Sequence, residues 1–407
     1  FNENLSKYAE LVVKVGVNIQ KNQFLYIATS TDALDLARLI TKKAYEVGAR
    51  QVFVDLADDQ IGRARYELAP DDSFDFFPEW KVKEREWLAE QGAAFVSIVS
   101  QSPDLLKGID SKRIATFQKA AGTALNKYRQ YVQSDKISWT VIASPSEAWA
   151  EKVFPNLPKE KQVDALWDAI FKATRSDLDN PVEAWTKHND TLHEKVHYLN
   201  AKKYAKLHYT APGTDLTIEL PKGHLWCGAG SVNEKGEEFM ANMPTEEVFT
   251  VPHKDGVNGY VSSTKPLSYG GNIIDNFKIT FENGRITKVE AEQGEEVLKN
   301  LVATDEGSHR LGEVALVPHD SPISNSGLLF YNTLFDENAS NHLAIGSAYA
   351  FCLEGGKKMN REELEANGLN QSITHVDFMI GSAEMNIDGI TEDGKTEPVF
   401  RNGNWAF

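Results

Sequence analysis

A chain of 407 residues, 41% hydrophobic and 25% charged, has the composition of a soluble globular protein and is too long for one ordinary core, so two domains are expected. The net charge of −16 argues against a nucleic-acid surface, which needs a positive footprint, and no apolar stretch reaches the length of a membrane span. Two cysteines, Cys227 and Cys352, exclude a disulfide framework and a zinc–thiolate cluster; the expected setting is reducing and cytoplasmic, and any metal falls to His, Asp and Glu.

Residues 1–16 mix Lys, Glu and Asn among apolar positions and do not read as a signal peptide. The first third then alternates strand-like and helix-like runs. Residues 24–28 (FLYIA), 51–56 (QVFVDL), 93–99 and 137–143 are short and apolar, and residues 32–47 have helical periodicity. Such alternation predicts βαβ units and a mostly parallel, doubly wound α/β sheet over residues 1–180. A helical stretch over 161–202, including 164–174 and 181–199, reads as a connector, with 181–203 joining the domains. From 204 to 407 the character is α+β. Residues 215–220 (DLTIEL) alternate, and 277–281 and 286–291 flank Glu282-Asn283-Gly284, a hairpin signal. Residues 338–351 read as a helix; 375–380 and 385–390 read as strands.

The most conspicuous motif is His193-Glu194-Lys195-Val196-His197. On a helix its histidines share a face and could hold one zinc ion, with Glu194 as base. The context opposes that reading. A lysine sits between the histidines, the surroundings read as an amphipathic connector, and no third ligand is evident, since Glu219 lies in a strand pattern. Gly228-Ala229-Gly230 begins like a dinucleotide fingerprint but Asn233 stands where the third glycine belongs, and no G-x-S-x-G elbow occurs.

The second domain carries a scattered set of acids and imidazoles. Thr245-Glu246-Glu247-Val248-Phe249 places two acids before a strand-like run, and Glu313 interrupts the apolar run 311–317. A carboxylate in an apolar strand is costly unless paired or metal-bound. Asp336-Glu337-Asn338-Ala339-Ser340-Asn341-His342 leads into the expected helix, where Tyr349 would follow His342 by about two turns. On a strand, His375 and Asp377 share one face and Val376 and Phe378 the other. Three carboxylates and two imidazoles are the donor types of a zinc-like pair when thiolates are missing. A mononuclear HExxH peptidase and a nonenzymatic small-ligand-binding protein stay open as alternatives.

At these residues the chain resembles the thermophilic-aminopeptidase family of metallopeptidases, of the aminopeptidase T, AmpS and PepS type, most closely its PepS branch. The strings that carry the resemblance are 144–150 (SPSEAWA), 212–215 (PGTD), 242–249 (NMPTEEVF), Gly312-Glu313, 335–339 (FDENA) with His342, and 375–381 (HVDFMIG). The resemblance implies that Glu247, Glu313, His342, His375 and Asp377 hold two divalent ions, with Glu313 bridging, and that Tyr349 stands beside them. Zinc, cobalt or manganese would suit such donors. It also implies a homodimer that removes N-terminal residues from peptides with a free N-terminus, and no nucleic-acid or membrane partner. The first domain is then expected to wall the cleft. Glu246 becomes the candidate general acid/base, which requires a loop or bulge, since consecutive strand residues face opposite ways. Tyr349 becomes a candidate donor to the oxyanion.

Overall fold

The computed structural model describes residues 1–270 and 272–407. The chain divides into two compact units, one of residues 1–188 and 230–244, the other of residues 189–229 and 245–407.

The first unit is built on β1 (Phe24–Ser30), β2 (Gln51–Ala57), β3 (Ala94–Val99) and β4 (Trp139–Ala143), all parallel, in the order β2-β1-β3-β4. Parallel neighbours need long crossovers. These are supplied by α2 (Leu34–Glu46), α3 (Asp59–Leu68), α4 (Glu79–Glu90), α5 (Ser111–Ala124) and α6 (Asn126–Gln133), while α1 (Asn2–Leu11) precedes the sheet. Helices α7 (Glu147–Val153), α8 (Lys159–Ala173) and α9 (Pro181–Lys202) follow it. The α/β expectation therefore holds. One buried side chain ties helix to sheet. The Tyr8 hydroxyl, on α1, donates to the Ala143 carbonyl at 2.9 Å and accepts from the Ala143 N–H at 3.1 Å. Tyr8 is fully buried, so burial holds its hydroxyl well above the usual tyrosine range and it stays a donor.

The chain enters the second unit within α9 and adds β5 (Lys206–Ala211), β6 (Thr214–Glu219) and β7 (Cys227–Gly228). Residues 230–244 then return to the first unit. They form a hairpin of β8 (Ser231–Val232) and β9 (Glu238–Phe239), then run beside β4. There Val141 N donates to Ala241 O at 2.8 Å and Met243 N to Val141 O at 3.0 Å. From residue 245 the chain builds two sheets in the second unit. One has the order β17-β16-β15-β10-β7, from β10 (Val248–Thr250), β15 (Leu311–Leu316), β16 (His342–Gly346) and β17 (His375–Met379) with β7. The other has nine strands. It joins β5 and β6 to β11 (Val257–Ser262), β12 (Leu267–Tyr269), β13 (Asn272–Glu282), β14 (Arg285–Gln293), β18 (Asn386–Ile390), β19 (Thr396–Arg401) and β20 (Asn404–Trp405). The expected hairpin is β13–β14. Its turn holds Asn283 and Gly284 at φ +50° and +84°. A Cβ on Gly284 would lie 1.8 Å from the Lys254 carbonyl oxygen, so no other residue fits.

The expected helix over 338–351 is not formed. Residues Glu337–Ala339 make one 3-10 turn, His342–Gly346 is the interior strand β16, and Ala350–Cys352 is another short turn. Long-range hydrogen bonds override helical periodicity here. Asn341 Oδ1 accepts from Val317 N at 2.8 Å and its carbonyl accepts from Ile380 N at 2.9 Å, fixing the chain between β15 and β17. Gly346, at φ +111°, cannot belong to a helix.

Replacing Tyr8 by Phe leaves both polar groups of Ala143 without that partner. The expected loss is about 1–3 kcal/mol of stability, read from the denaturation of the first unit.

Candidate metal centre

The five-stranded sheet sorts its side chains by face. Across antiparallel neighbours, opposed residues project the same way. Ala344 on β16 stands opposite Glu313 on β15 and opposite Asp377 on β17. His342 stands opposite Ala315, and His375 opposite Gly346. Thus Glu313, His342, His375 and Asp377 share a face, with Ala315, Ala344 and Gly346 between them as small spacers. The other face presents Val314, Leu316, Leu343, Ile345, Val376 and Phe378 to the apolar core. The register of β15 slips between Leu311 and Glu313. Gly312 sits at this slip, where a Cβ would come within 2.2 Å of the Gly346 carbonyl oxygen.

Two loops complete the group. Glu246 and Glu247 lie in an irregular segment just before β10, so the two acids are not bound to strand alternation. Glu337 sits on the 3-10 turn before His342. That turn is fixed by the buried Asp336, which accepts from Phe330 N at 2.9 Å and Asn332 N at 3.1 Å. Asn338, fully buried, accepts from Glu246 N at 2.7 Å through Oδ1 and donates to Leu334 O at 2.8 Å. One amide thus joins the segment of Glu246 and Glu247 to the turn of Glu337. Sequence reasoning passed over Glu337 as a donor, although it stands in the quoted 335–339 string, five residues before His342.

Three overlapping sets of donor atoms each lie within 4.8 Å of one another: Glu247, Glu313 and His342; Glu313, His375 and Asp377; Glu337, His342 and Asp377. Glu313 Oε2 is 3.6 Å from His342 Nε2 and 3.9 Å from His375 Nε2, within reach of both rings. His342 Nε2 is 3.0 Å from Glu247 Oε2, and His375 Nε2 is 3.5 Å from Asp377 Oδ1. Despite this proximity, Glu247 Oε2, His342 Nε2 and Asp377 Oδ1 are buried without a hydrogen bond of acceptable geometry. Close but misaligned donor atoms are what a shared third partner leaves behind. The other ring nitrogens are committed. His342 Nδ1 lies 3.0 Å from Ser340 O and His375 Nδ1 2.8 Å from Ser347 O. Each carbonyl selects the Nδ1–H tautomer and leaves the Nε2 lone pair for a cation. The residues present therefore fit divalent ions.

The charges tell the same story. Burial and the nearby charges of Asp377 and Glu247 push the carboxyls of Glu313 and Glu337 well above the usual range. Burial alone would depress His342, but contact with Glu247, its charge and that of Asp377 prevail and carry the ring up to about 9. Burial opposes ionisation of Asp377 too, yet contact with His375 and the charges of both rings hold it well below the carboxylate range. Without a cation the cluster retains protons it would otherwise shed. Tyr349 opens the 350–352 turn with its ring 5.1 Å from that of His375. Burial and the surrounding carboxylates keep its hydroxyl protonated.

The HExxH residues lie elsewhere in the second unit, on α9. His193 is half-buried, Glu194 and His197 are exposed, and the two rings are 6.3 Å apart. Lys195 donates to the Phe407 carbonyl and lies over the Phe407 ring at 4.6 Å. Among the described residues neither histidine joins a set of three metal-type donors.

The signature of the family described as thermophilic metalloprotease (M29) matches residues 1–405. The chain is 67% identical to aminopeptidase AmpS of Bacillus subtilis (strain 168), over 100% of this chain and 99% of that protein. It is 50% identical to aminopeptidase PepS of Streptococcus thermophilus, over 100% and 98%. Among solved structures, wild-type AmpT from Thermus thermophilus superposes with a TM-score of 0.95 at 42% identity, covering 100% of both chains.

His342→Ala is expected to lose bound metal, whereas His197→Ala keeps the wild-type content, as read by elemental analysis. The reverse pattern would return the site to α9. Loading must also displace protons from His342, Glu313 and Glu337, so metal affinity should fall as the pH is lowered. Calorimetric titration in buffers of different ionisation enthalpy is expected to register net proton release.

Proposed function

The chain belongs to the thermophilic metalloprotease family, M29, and we propose that it is an aminopeptidase whose site holds two divalent ions and releases N-terminal residues from peptides. The observation that carries this reading is the set of converging donors. Glu247, Glu313, His342, His375 and Asp377, joined by Glu337, bring their donor atoms together, and three of those buried atoms lack hydrogen-bond partners. Six donors exceed what one tetrahedral ion needs. Glu313, within reach of both imidazoles, is the candidate bridge. Zinc, cobalt and manganese all suit this oxygen-and-imidazole set.

When bound, such ions supply Lewis acidity for the scissile carbonyl and lower the pKa of the attacking water. The protein's own groups do the rest. The Glu246 carboxylate, held through its backbone by Asn338, takes the proton from that water and passes it to the departing amine. The Tyr349 hydroxyl, kept protonated by its acidic surroundings, donates a hydrogen bond to the oxygen on which charge develops. The acidic cluster also suits a substrate's free ammonium group. A homodimer is the assembly that the family resemblance favours. Two free thiols suit a reducing, cytoplasmic setting. No helix among the described residues is long and apolar enough to cross a membrane.

Amino-acid anilides and free peptides should be cleaved from the N-terminus, with N-acetylated peptides resistant; internal cleavage of the blocked peptides would refute the aminopeptidase reading. Chelation should abolish activity and added zinc, cobalt or manganese restore it. Glu246→Gln should lower kcat by about 10²–10⁴-fold with metal content unchanged. If the substitution instead removes metal and leaves the residual turnover per ion intact, Glu246 is a ligand and not the proton carrier.

A further inference from the structure

The second unit contains one feature that the reaction does not use. Cys227, on β7, and Cys352, in the 350–352 turn, are both free, and their sulfurs are 3.9 Å apart although 125 residues separate them in sequence. We propose that this pair is an oxidation site for peroxides, closing to an intramolecular disulfide that displaces Tyr349 and slows turnover.

The chemistry balances within the pair. Half-buried Cys227 is the sulfur a peroxide can reach, while burial pushes the Cys352 thiol up and keeps it protonated. The Cys227 thiol gives up its proton and its sulfur attacks hydrogen peroxide; the O–O bond breaks, one oxygen stays on sulfur as the sulfenic acid, and the other leaves as hydroxide and takes that proton to become water. Cys352 then attacks the Cys227 sulfur, loses its proton and expels a second water. Two thiols and one peroxide thus become one disulfide and two waters.

Closure has a mechanical consequence. A disulfide brings its sulfurs to about 2.05 Å, so the pair must approach by about 1.9 Å. Cys227 is held in register opposite Phe249 on β10, the strand that follows Glu247. Cys352 is held by Leu225 N donating to its carbonyl at 2.7 Å, and its own N–H donates to Tyr349 O at 3.1 Å. Between these anchors the rings of Phe249, Tyr349 and Phe351 pack together, with centroids 5.1–6.1 Å apart. Cys352 closes the short turn that Tyr349 opens, so moving that turn moves Tyr349. The effect on turnover rests on the role proposed for Tyr349; disulfide formation does not.

The test treats the metal-loaded full-length protein with hydrogen peroxide, blocks remaining thiols, and maps peptides by mass spectrometry alongside kcat and metal content. The expected result is a linked Cys227–Cys352 peptide and a fall in kcat of at least five-fold at unchanged metal content, reversed by a phosphine reductant. Cys227→Ser and Cys352→Ala, each expected to fold and turn over normally, should both resist. Absence of the linked peptide refutes the oxidation site, whatever the fate of the two-ion reading. A linked peptide with normal kcat refutes the coupling to Tyr349. Equal loss in both variants assigns the sensitivity to another residue and overturns the proposal.

Discussion

Everything in the second unit is arranged around the cost of placing like charges out of water. Glu247, Glu313 and Asp377 are mostly buried within a few ångströms of one another. No apolar packing repays that cost, because a buried carboxylate must be neutralised or paired. The surrounding design follows from it. Alanine and glycine spacers keep the face open, the Gly312 slip turns Glu313 inward, and backbone carbonyls aim both imidazoles. A side-chain amide holds the two loops in place. The apolar face of the same strands packs the sheet against the core. Acidic clusters in surface loops need none of this support, since water screens them.

Much of this was legible in the sequence, for reasons that differ by element. Period-2 alternation is strong enough to place His375 and Asp377 together, and an acid inside the apolar run 311–317 announces a special burden on Glu313. The parallel sheet of the first unit follows from short apolar runs separated by helices. The hairpin at Asn283-Gly284 is dictated by positive φ. Joining the five donors into one site, however, rested on family resemblance, because strand pairing across long sequence distances leaves no local trace.

What was not legible failed for the same physical reason. Residues 338–351 contain good helix formers, and only the hydrogen bonds of Asn341 and the conformation of Gly346, set by partners elsewhere, make a strand of them. Glu337, just ahead of the expected helix, carried no local signal of its own, because its approach to His342 is set by the 3-10 turn Glu337–Ala339. The HExxH motif shows the converse. His193 and His197 have the local spacing of a zinc site, but among the described residues no third donor joins them, and the lysine between them binds Phe407. Local pattern proposes a site; convergence from distant segments makes one.

The return of residues 230–244 to the first unit sets an order on synthesis. A ribosome that has released residues 1–188 has not yet made the segment that runs beside β4, and must first produce β5, β6 and β7; β5 and β6 pair with each other, but their outer partners β18 and β11, and β10 beside β7, come later still. The first unit is therefore finished only when more than half of the chain has emerged. Until then the flank of β4 against which Ala241 and Met243 will pair is an open strand edge, the kind of surface on which nascent chains misassociate.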